Sequence, residues 1–304
     1  MASSSSGANS RIEEPGQRSG NRGSNVFTAL KSLQVALRRY DVNMPSARPS
    51  TPVEPHPRAR IGSVSVDVLT LDQAVREMHR LAQEGNGGAV YTPNVDHVVR
   101  AESDSAFKAA YDNVALSLVD GMPLVWASHW LRTPLPQRVA GSDWLEPLLG
   151  LCARQGHSVY FLGGRKGAGA AAKSRLQARY PSLDVVAVGP RTRAIEADPS
   201  LLDAVRDDLV KLRPNFAVVA LGSPLQELWS AQVRQAVAPT VLLNLGSALD
   251  LAAGLIPRSP RWMSETGLEW LYRLGLEPGR LWKRYLLRGP KFFVILLRQR
   301  FGKG

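Results

Sequence analysis

The chain of 304 residues has a single cysteine, Cys152, which lies in an apolar stretch. One thiol forms neither an intramolecular disulfide nor a cysteine-based metal site. The five histidines are scattered and no Asp-x-Asp motif is present, so the sequence offers no cluster of metal ligands. We therefore expect a protein of a reducing compartment that uses no metal and no cofactor.

Long apolar runs are also missing. A helix that spans a bilayer needs about 20 apolar residues, whereas the best candidate, residues 292–297, has only six. Residues 1–23 contain no hydrophobic region of the kind found in secretory signals. These two absences predict a cytoplasmic protein that is soluble or attached peripherally to the inner face of the cytoplasmic membrane.

Acidic residues are scarce near the C-terminus. The net charge is +12, and residues 273–304 contribute +8 of it, with nine lysines or arginines against the one acid Glu277. Such a segment favours phosphate-bearing partners. From residue 262 onward, aromatic residues are interleaved with cations, a pairing typical of membrane interfaces. Because no nucleic-acid-binding module is recognisable, we expect an anionic membrane surface, and no nucleic acid, as a partner.

Three regions differ in composition. Residues 1–60 are rich in Ser, Gly, Pro and Arg, which predicts a disordered N-terminal extension. In residues 61–257, short β-rich runs alternate with amphipathic helical segments, beginning with a strand predicted at 64–70. This alternation predicts an α/β fold with a doubly wound, mostly parallel sheet. Residues 258–304 show no strand pattern and are predicted to form a basic, aromatic, helical appendage.

Glycines recur where the predicted strands end, notably at Gly163, Gly164 and Gly222. Open α/β sheets bind ligands at the carboxyl ends of their strands, and glycine lets a phosphate or a sugar approach the backbone closely. The spacing from Gly163 is G-G-x-x-G-x-G, not the dinucleotide motif G-x-G-x-x-G, and no acid follows the next strand to hold a ribose. A nicotinamide-linked oxidoreductase is therefore a weaker alternative. Both nucleotide contact and a simple tight turn stay open for this loop.

Asp120 and Gly121 interrupt the otherwise apolar stretch 115–127. A buried carboxylate without a partner is costly, so an acid at this position requires a reason. Asp120 either caps the helix that follows or faces a cavity. In a cavity it can act as a general base toward a sugar hydroxyl.

A second polar pair, Gln226 and Glu227, follows Ser223 and Pro224 at a predicted helix start. Such residues cap a helix N-terminus and complement its dipole. Alternatively, Gln226 reaches toward the rim of the sheet as a neutral donor and acceptor for a base or a sugar.

Eight short motifs occur in an order that resembles the WecG/TagA/CpsF family of bacterial glycosyltransferases. None of them is decisive alone, but eight in order are specific, and the resemblance covers the chain from about Ile61 to Arg288. The motifs are TPNVDHV (92–98), VDGMPLV (119–125), RVAGSD (138–143), FLGG (161–164), LGSPLQE (221–227), NLGSALDLAAG (244–254), RSPRW (258–262) and GLEWLYRLGLEPGRLWKRY (267–285).

The resemblance implies a Rossmann-like fold and an inverting, metal-independent glycosyl transfer. A UDP-sugar would donate a hexose derivative to a sugar on a polyprenyl diphosphate, in surface or exopolysaccharide biosynthesis. Asp120 matches the proposed catalytic base of the family, and Arg138 matches an active-site arginine. The candidate substrate-binding residues, from the motifs and the turns together, are Thr92, Asn94, Gly121, Gly163, Gly164, Gly222, Gln226, Glu227, Arg273, Arg280 and Arg284.

The chain departs from the family pattern at Leu225, where the family usually has lysine, so one expected cation is missing. Two alternatives come from other functional classes, a non-catalytic protein that docks at the membrane and a nucleic-acid-binding α/β protein. The presence of Asp120, Arg138 and Gln226 argues against the non-catalytic alternative. The sequence leaves the identity of the donor sugar and a homo-oligomeric state open.

Overall fold

A computed structural model describes residues 56–276, 278–282 and 288–302 of the chain, without the side chains of Arg261, Glu265, Arg280 and Leu281. Most of the predicted disordered extension, residues 1–55, lies outside the described residues. So does the candidate site residue Arg284.

Six parallel strands form the central sheet, in the order β4-β3-β8-β7-β5-β6. This order confirms the predicted doubly wound, Rossmann-like α/β fold. The strands are β3 (Gly88–Tyr91), β4 (Leu116–Ser117), β5 (Ser158–Gly163), β6 (Asp184–Val188), β7 (Phe216–Ala220) and β8 (Val241–Asn244).

The strand predicted at 64–70 lies outside this sheet. It is shorter, β2 (Val64–Asp67), and pairs antiparallel with β1 (Arg58–Ile61), which the sequence analysis did not identify. Gly62 occupies the turn with a φ of +59°, a conformation that favours glycine. The Asp67 carboxylate accepts a hydrogen bond of 2.6 Å from the Ser117 N–H, which attaches the hairpin to β4.

Alternating residues of the buried strands face two separate apolar layers. On β3, for example, Tyr91 packs into one layer and Val90 into the other. The first layer contains residues of α2 (Val95–Ala101), α3 (Ser105–Asp112), α4 (Met122–Trp130), α7 (Thr192–Ala197), α8 (Leu201–Leu212) and α9 (Leu225–Val233). The second contains residues of α1 (Leu71–Glu84), α5 (Gly141–Gln155), α6 (Ala168–Arg179) and α10 (Ala248–Ala252).

The chain after residue 260 is mainly helical where it is described, as predicted. It forms α11 (Arg261–Glu265), α12 (Glu269–Leu276), α13 (Pro278–Trp282) and α14 (Arg288–Phe301). Phe292 and Leu296 of α14 are buried in the first apolar layer, so this helix is part of the core packing. None of the helices in the described parts of the chain has the length and apolarity required to span a bilayer.

The neighbouring strands β3 and β8 continue into helices on opposite faces of the sheet. β3 leads to α2, which packs in the first apolar layer, and β8 leads to α10, which packs in the second. The two connections therefore diverge beyond the strand ends. In α/β proteins such a divergence opens a crevice at the carboxyl edge, where ligands bind. Thr92 and Gly246 follow these two strands, and Asp120 follows the adjacent edge strand β4.

Candidate active site

Backbone hydrogen bonds determine where Asp120 lies. The chain beyond β4 continues alongside the loop after β3, since the N–H of Leu118 donates to the carbonyl of Tyr91 and the N–H of Asp120 to that of Pro93, each at 2.8 Å. On the other side, the N–H of Val139 donates to the carbonyl of Val119 at 2.9 Å. Three sequence-distant segments thus meet at this acid.

Asp120 does not cap the following helix. Gly121 occupies the N-cap position of α4, with a φ of +119°, and no side chain there accepts a hydrogen bond from the helix. No described residue donates a hydrogen bond to the Asp120 carboxylate. The structure therefore excludes the capping interpretation, and the role of Asp120 as a general base stays a prediction.

The environment of Asp120 favours its neutral form. Burial raises its pKa above the usual 3.8, which the charges of Arg273 and Arg138 oppose and those of Glu269 and Asp143 reinforce. A carboxylate with a raised pKa is a stronger base than an ordinary surface aspartate, and such groups are often catalytic.

A chain of ion pairs lies beside Asp120. Arg138 donates to Oε2 of Glu269 at 2.7 Å and to Oδ2 of Asp143 at 2.6 Å. Each of these two carboxylates is shared with a second arginine, Glu269 with Arg273 and Asp143 with Arg258. In this network two carboxylates are shared among three arginines, and the charges of Arg138, Arg273, Glu269 and Asp143 act on Asp120.

Two of these acids were not identified as site residues from the sequence. Asp143 lies in the first turn of α5, which begins without a side-chain cap, and its carboxylate forms ion pairs instead. Glu269 is part of the GLEW segment in the appendage, 131 residues from Arg138 in the chain. Only the folded chain brings these two residues together.

The C-terminal appendage lies against this part of the site. Glu269 pairs with Arg138. Gly267 packs so closely on Trp126 of α4 that an added Cβ would overlap the indole ring. Arg273, predicted as a substrate ligand, is close enough to Asp120 to affect its pKa. The backbone of Arg280 is in α13 but its side chain is not described, and Arg284 lies outside the described residues.

Thr92 and Asn94 lie in the loop between β3 and α2, which flanks Asp120. The Thr92 hydroxyl donates to the carbonyl of Asn244 at 3.1 Å, and this bond connects the ends of β3 and β8. Asn94 is the N-cap of α2, with its Oδ1 accepting from the N–H of Asp96 at 3.0 Å. Both side chains thus have structural partners, and substrate contact by either residue stays a prediction.

Gly163 is the last residue of β5, and Gly164 begins the tight turn that follows it. A Cβ on Gly163 would lie 2.5 Å from the carbonyl oxygen of Ala220, so the neighbouring strand leaves no room for a side chain. The N–H of Gly163 donates to Pro190 and that of Gly164 to Ala220, at 3.0 and 2.9 Å. These N–H groups already have acceptors within the protein, which favours the simple turn over a phosphate-binding loop.

Gln226 and Glu227 are buried at the start of α9, with exposed fractions of 3% and 0%. The Gln226 Oε1 accepts hydrogen bonds from the N–H groups of Gly222 (3.0 Å) and Gly246 (3.2 Å), and its Nε2 donates to Oε1 of Glu227 at 2.8 Å. Ser223 and Pro224 provide no side-chain cap for the helix. The polar pair therefore joins loops of the protein and does not cap the helix.

The Glu227 carboxyl group belongs to a buried polar cluster. Burial raises its pKa to about 7, despite opposing contributions from Gln226, its own backbone N–H, Ser223 and Arg100. His97 Nε2 lies 4.0 Å from Glu227 Oε1, and His97 Nδ1 forms a 2.8 Å hydrogen bond with the Tyr111 hydroxyl. Leu225, which replaces the usual lysine of the family motif, is buried in the first apolar layer.

Taken together, the crevice offers a partly buried carboxylate next to several guanidinium groups. The carboxylate can accept a proton, and the guanidinium groups can bind phosphate oxygens or a leaving anion. Across the described ranges, no three His, Cys, Asp or Glu side chains are grouped as ligands for a metal ion.

Comparison with known proteins identifies the family. The model of the glycosyl transferase WecG/TagA/CpsF family matches residues 59–304. The chain belongs to this family. It is therefore a glycosyltransferase, and the resemblance deduced from the eight motifs is confirmed.

Similar relatives within the family are each named N-acetylglucosaminyldiphosphoundecaprenol N-acetyl-beta-D-mannosaminyltransferase. The protein of Bacillus subtilis is 28% identical over 75% of this chain and 85% of the relative. That of Bacillus spizizenii is 27% identical over 71% and 80%, and that of Staphylococcus aureus is 25% identical over 74% and 88%. The alignments therefore cover between 80% and 88% of each relative.

Proposed function

We propose that the protein transfers a hexose derivative from a UDP-sugar to a sugar on a polyprenyl diphosphate, with inversion and without a metal ion. The observation that carries this proposal is the Asp120 carboxylate, which lies at the carboxyl edge of the sheet, without a hydrogen-bond donor among the described residues, beside Arg138 and Arg273. A product of this reaction would serve the assembly of a cell-envelope polysaccharide.

Asp120 is the proposed general base. In a single displacement, the acceptor hydroxyl attacks the anomeric carbon from the face opposite the leaving diphosphate, which inverts the configuration at that carbon. As the new bond forms, the hydroxyl proton passes to the Asp120 carboxylate. The raised pKa of this group increases its basicity and supports the assignment.

Arginines are the proposed counter-charges for the diphosphates. The departing UDP gains negative charge in the transition state, and preorganised cations stabilise such charge most effectively in a partly desolvated site. Arg138 is held between Glu269 and Asp143, and its side chain is only 13% exposed. We assign Arg138 to the donor diphosphate, and Arg273, which the appendage supplies, to the acceptor diphosphate.

The proposed acceptor is an undecaprenyl or related polyprenyl diphosphate that carries N-acetylglucosamine, and the proposed donor carries N-acetylmannosamine. The names of the three relatives, which are 25–28% identical to this chain, support this choice of substrates. Leu225, which is buried, stands where the family usually has a lysine, so a panel of donors belongs in the first test.

A lipid-linked acceptor requires access to a membrane, and α14 is the proposed contact surface. Phe293, Leu297 and Phe301 recur every four residues and lie on one stripe, with exposed fractions of 66%, 50% and 70%. The exposed cations Lys291 and Arg298 flank them. Exposed aromatic rings next to cations suit the headgroup region of an anionic leaflet.

The first experiment is a thermal-shift panel with UDP, UDP-sugars and NAD in the presence of a chelator. A ligand at 100 times its dissociation constant raises the free energy of unfolding by about 2.7 kcal/mol, which is readily visible. A shift with UDP or a UDP-sugar and none with NAD supports the transferase and ranks the donors for turnover assays. A shift with NAD alone would favour the oxidoreductase alternative, and a requirement for added metal would refute metal independence.

A further inference from the structure

The Gln226 side chain connects two loops at the carboxyl edge of the sheet. Its single amide oxygen accepts the N–H groups of Gly222, which follows β7, and Gly246, which follows β8. β7 and β8 are neighbours in the sheet, and β8 borders the crevice next to β3. The oxygen therefore controls how close the two loops lie and how wide this part of the rim is.

This connection requires one of the two possible orientations of the amide. If the amide were rotated by half a turn, its NH₂ group would face two N–H donors, which cannot bond to it. The NH₂ group needs an acceptor on its other side to hold the productive orientation. The acceptor is Oε1 of Glu227, at 2.8 Å from Nε2. Both side chains are almost fully buried, so water has little access to replace it.

Glu227 is itself held by three elements. The Tyr91 hydroxyl of β3 donates to its backbone carbonyl at 2.8 Å, and Ser223 of its own loop contributes to the carboxyl environment. From α2, His97 approaches the carboxyl group and is anchored by Tyr111 of α3. An exposed fraction of 0% leaves Glu227 no surface for contact with a ligand.

We propose that Glu227 is a positioning residue, which fixes the Gln226 amide in the one orientation that holds the Gly222 and Gly246 loops together, and does not touch the substrate. This role differs from the substrate contact that the sequence suggested for Glu227. An effect of Glu227 on donor binding rests on the function proposed above. Its effect on the connection between the Gly222 and Gly246 loops does not.

Hydrogen exchange at glycine amides tests the loop connection directly. We compare Glu227→Met, which keeps an unbranched chain but removes the acceptor, with Glu227→Gln, which retains an acceptor oxygen. In NMR of glycine-labelled protein, Glu227→Met is expected to accelerate exchange at Gly222 and Gly246 at least tenfold. Glu227→Gln is expected to leave both rates within about twofold of the wild-type values.

Internal references separate this effect from general destabilisation. The N–H groups of Gly163 and Gly164 donate to Pro190 and Ala220 and do not involve Gln226, so their exchange is expected to stay unchanged in both variants. Equal acceleration at all four glycines, or none at Gly222 and Gly246, would overturn the proposal.

Tyr91→Phe is the matched control. It removes a buried hydrogen bond to the backbone of Glu227 but leaves the amide and carboxyl groups intact. We expect a lower melting temperature with no selective acceleration at Gly222 and Gly246. If Tyr91→Phe reproduced the selective effect of Glu227→Met, anchoring of α9 and not amide orientation would be responsible, and the proposal would be wrong.

Calorimetric titration with UDP tests the consequence for the donor site. The dissociation constant is expected to rise about tenfold in Glu227→Met and to stay within about twofold in Glu227→Gln. An unchanged constant in Glu227→Met, with exchange accelerated, would refute the role in donor binding. If the wild-type protein failed to bind UDP, the proposed function would fail, while the glycine exchange would still decide the role of Glu227 in the loops.

Discussion

At the scale of single residues, Asp120 and Glu227 are two carboxyl groups with raised pKa values in different surroundings. Asp120 is partly exposed at the crevice and lacks a described hydrogen-bond donor, so its basicity is available to a ligand. Glu227 is fully buried, and Gln226 donates to it, so its carboxyl group serves the protein internally. A raised pKa therefore indicates catalysis only when the group is also accessible.

We predict that Asp120→Asn retains donor binding and loses transfer by about 10²–10⁴-fold, the range for removal of a general base. The amide has nearly the same shape but cannot accept the proton. Binding is measured by titration with UDP, and transfer is measured with a lipid-linked acceptor. Asp143→Asn, the same change elsewhere in the ion network, serves as control and is expected to retain measurable transfer. Equal turnover of Asp120→Asn and wild type would exclude the base role.

The pH profile provides an independent check on Asp120. Because burial raises the pKa of this carboxyl group, the wild-type rate is expected to decline with falling pH before ordinary aspartates protonate. Only the ionised form accepts a proton, so the loss is on the acid side. A rate that stays constant down to the usual aspartate range would contradict this assignment.

Glu227 leads to a prediction about stability. Since its pKa is about 7 in the folded protein and near 4.5 in the unfolded chain, the folded state binds the extra proton between these values. The stabilisation is complete below the unfolded pKa and is lost as pH rises through 7. Relative to Glu227→Gln, the wild type is expected to lose about 2 kcal/mol of unfolding free energy between pH 5 and 8. Denaturant titrations at both pH values measure this, and a pH-independent difference would contradict it.

At the scale of secondary-structure elements, α12 connects the appendage to the carboxyl edge of the sheet. Glu269 shares its carboxylate between Arg138 of the core and Arg273 of its own helix. The same ion pairs thus hold α12 on the core and orient two arginines near Asp120. A segment that lies far along the chain becomes part of the site in this way.

We predict that Glu269→Gln raises the KM for the lipid-linked acceptor about tenfold, as expected for the loss of a charged hydrogen bond, with a smaller effect on kcat. The matched control is Glu84→Gln, because Glu84 also pairs with an arginine, Arg80, but on the surface of α1. Steady-state kinetics at saturating donor measure both constants. A KM for Glu269→Gln equal to that of the control would show that α12 is held by other contacts.

The exposed stripe of α14 leads to a prediction about membrane binding. In a double variant with Phe293→Ser and Phe301→Ser, the apparent affinity for anionic vesicles in a sedimentation assay is expected to fall at least tenfold. The reason is that two large exposed rings no longer enter the interface. The control pair is Val210→Ser with Leu212→Ser, two exposed apolar residues of α8. Equal sedimentation of both double variants would disprove the assignment of α14 as the contact surface.

At the scale of the whole molecule, the last helix and the core are one structure. α14 packs on the first apolar layer, and Gln299 accepts the N–H of Gly62 and donates to the carbonyl of Arg60, each at 2.7 Å. The helix therefore has a buried stripe that packs on the core and a separate stripe that is exposed.

Two adjacent phenylalanines test this division. Phe292 is 4% exposed and Phe293 is 66% exposed, so the same substitution is expected to have different effects. We predict that Phe292→Ala lowers the free energy of unfolding by about 3–5 kcal/mol, and Phe293→Ala by no more than about 0.5 kcal/mol. Chemical denaturation measures both values. Similar losses in the two variants would mean that α14 is not seated on the core as described.

The sequence alone determined the fold class, the position of Asp120 at a strand end and the family. These depend on local patterns, namely the alternation of strand and helix segments, the glycines that end strands, and eight motifs in order. The basic helical character of residues 258–304 was equally visible, because composition and periodicity are properties of a continuous stretch.

Only the tertiary structure decided which side chains meet. The sequence could not show that Glu269 pairs with Arg138, that β1 and β2 form a separate hairpin, or that Gln226 joins the loops of Gly222 and Gly246. Such contacts arise between segments that are distant along the chain, and their geometry follows from how the sheet and its helices pack. For the same reason Glu227, which resembled a site residue in the linear motif, is placed by folding in the interior, beneath the site it supports.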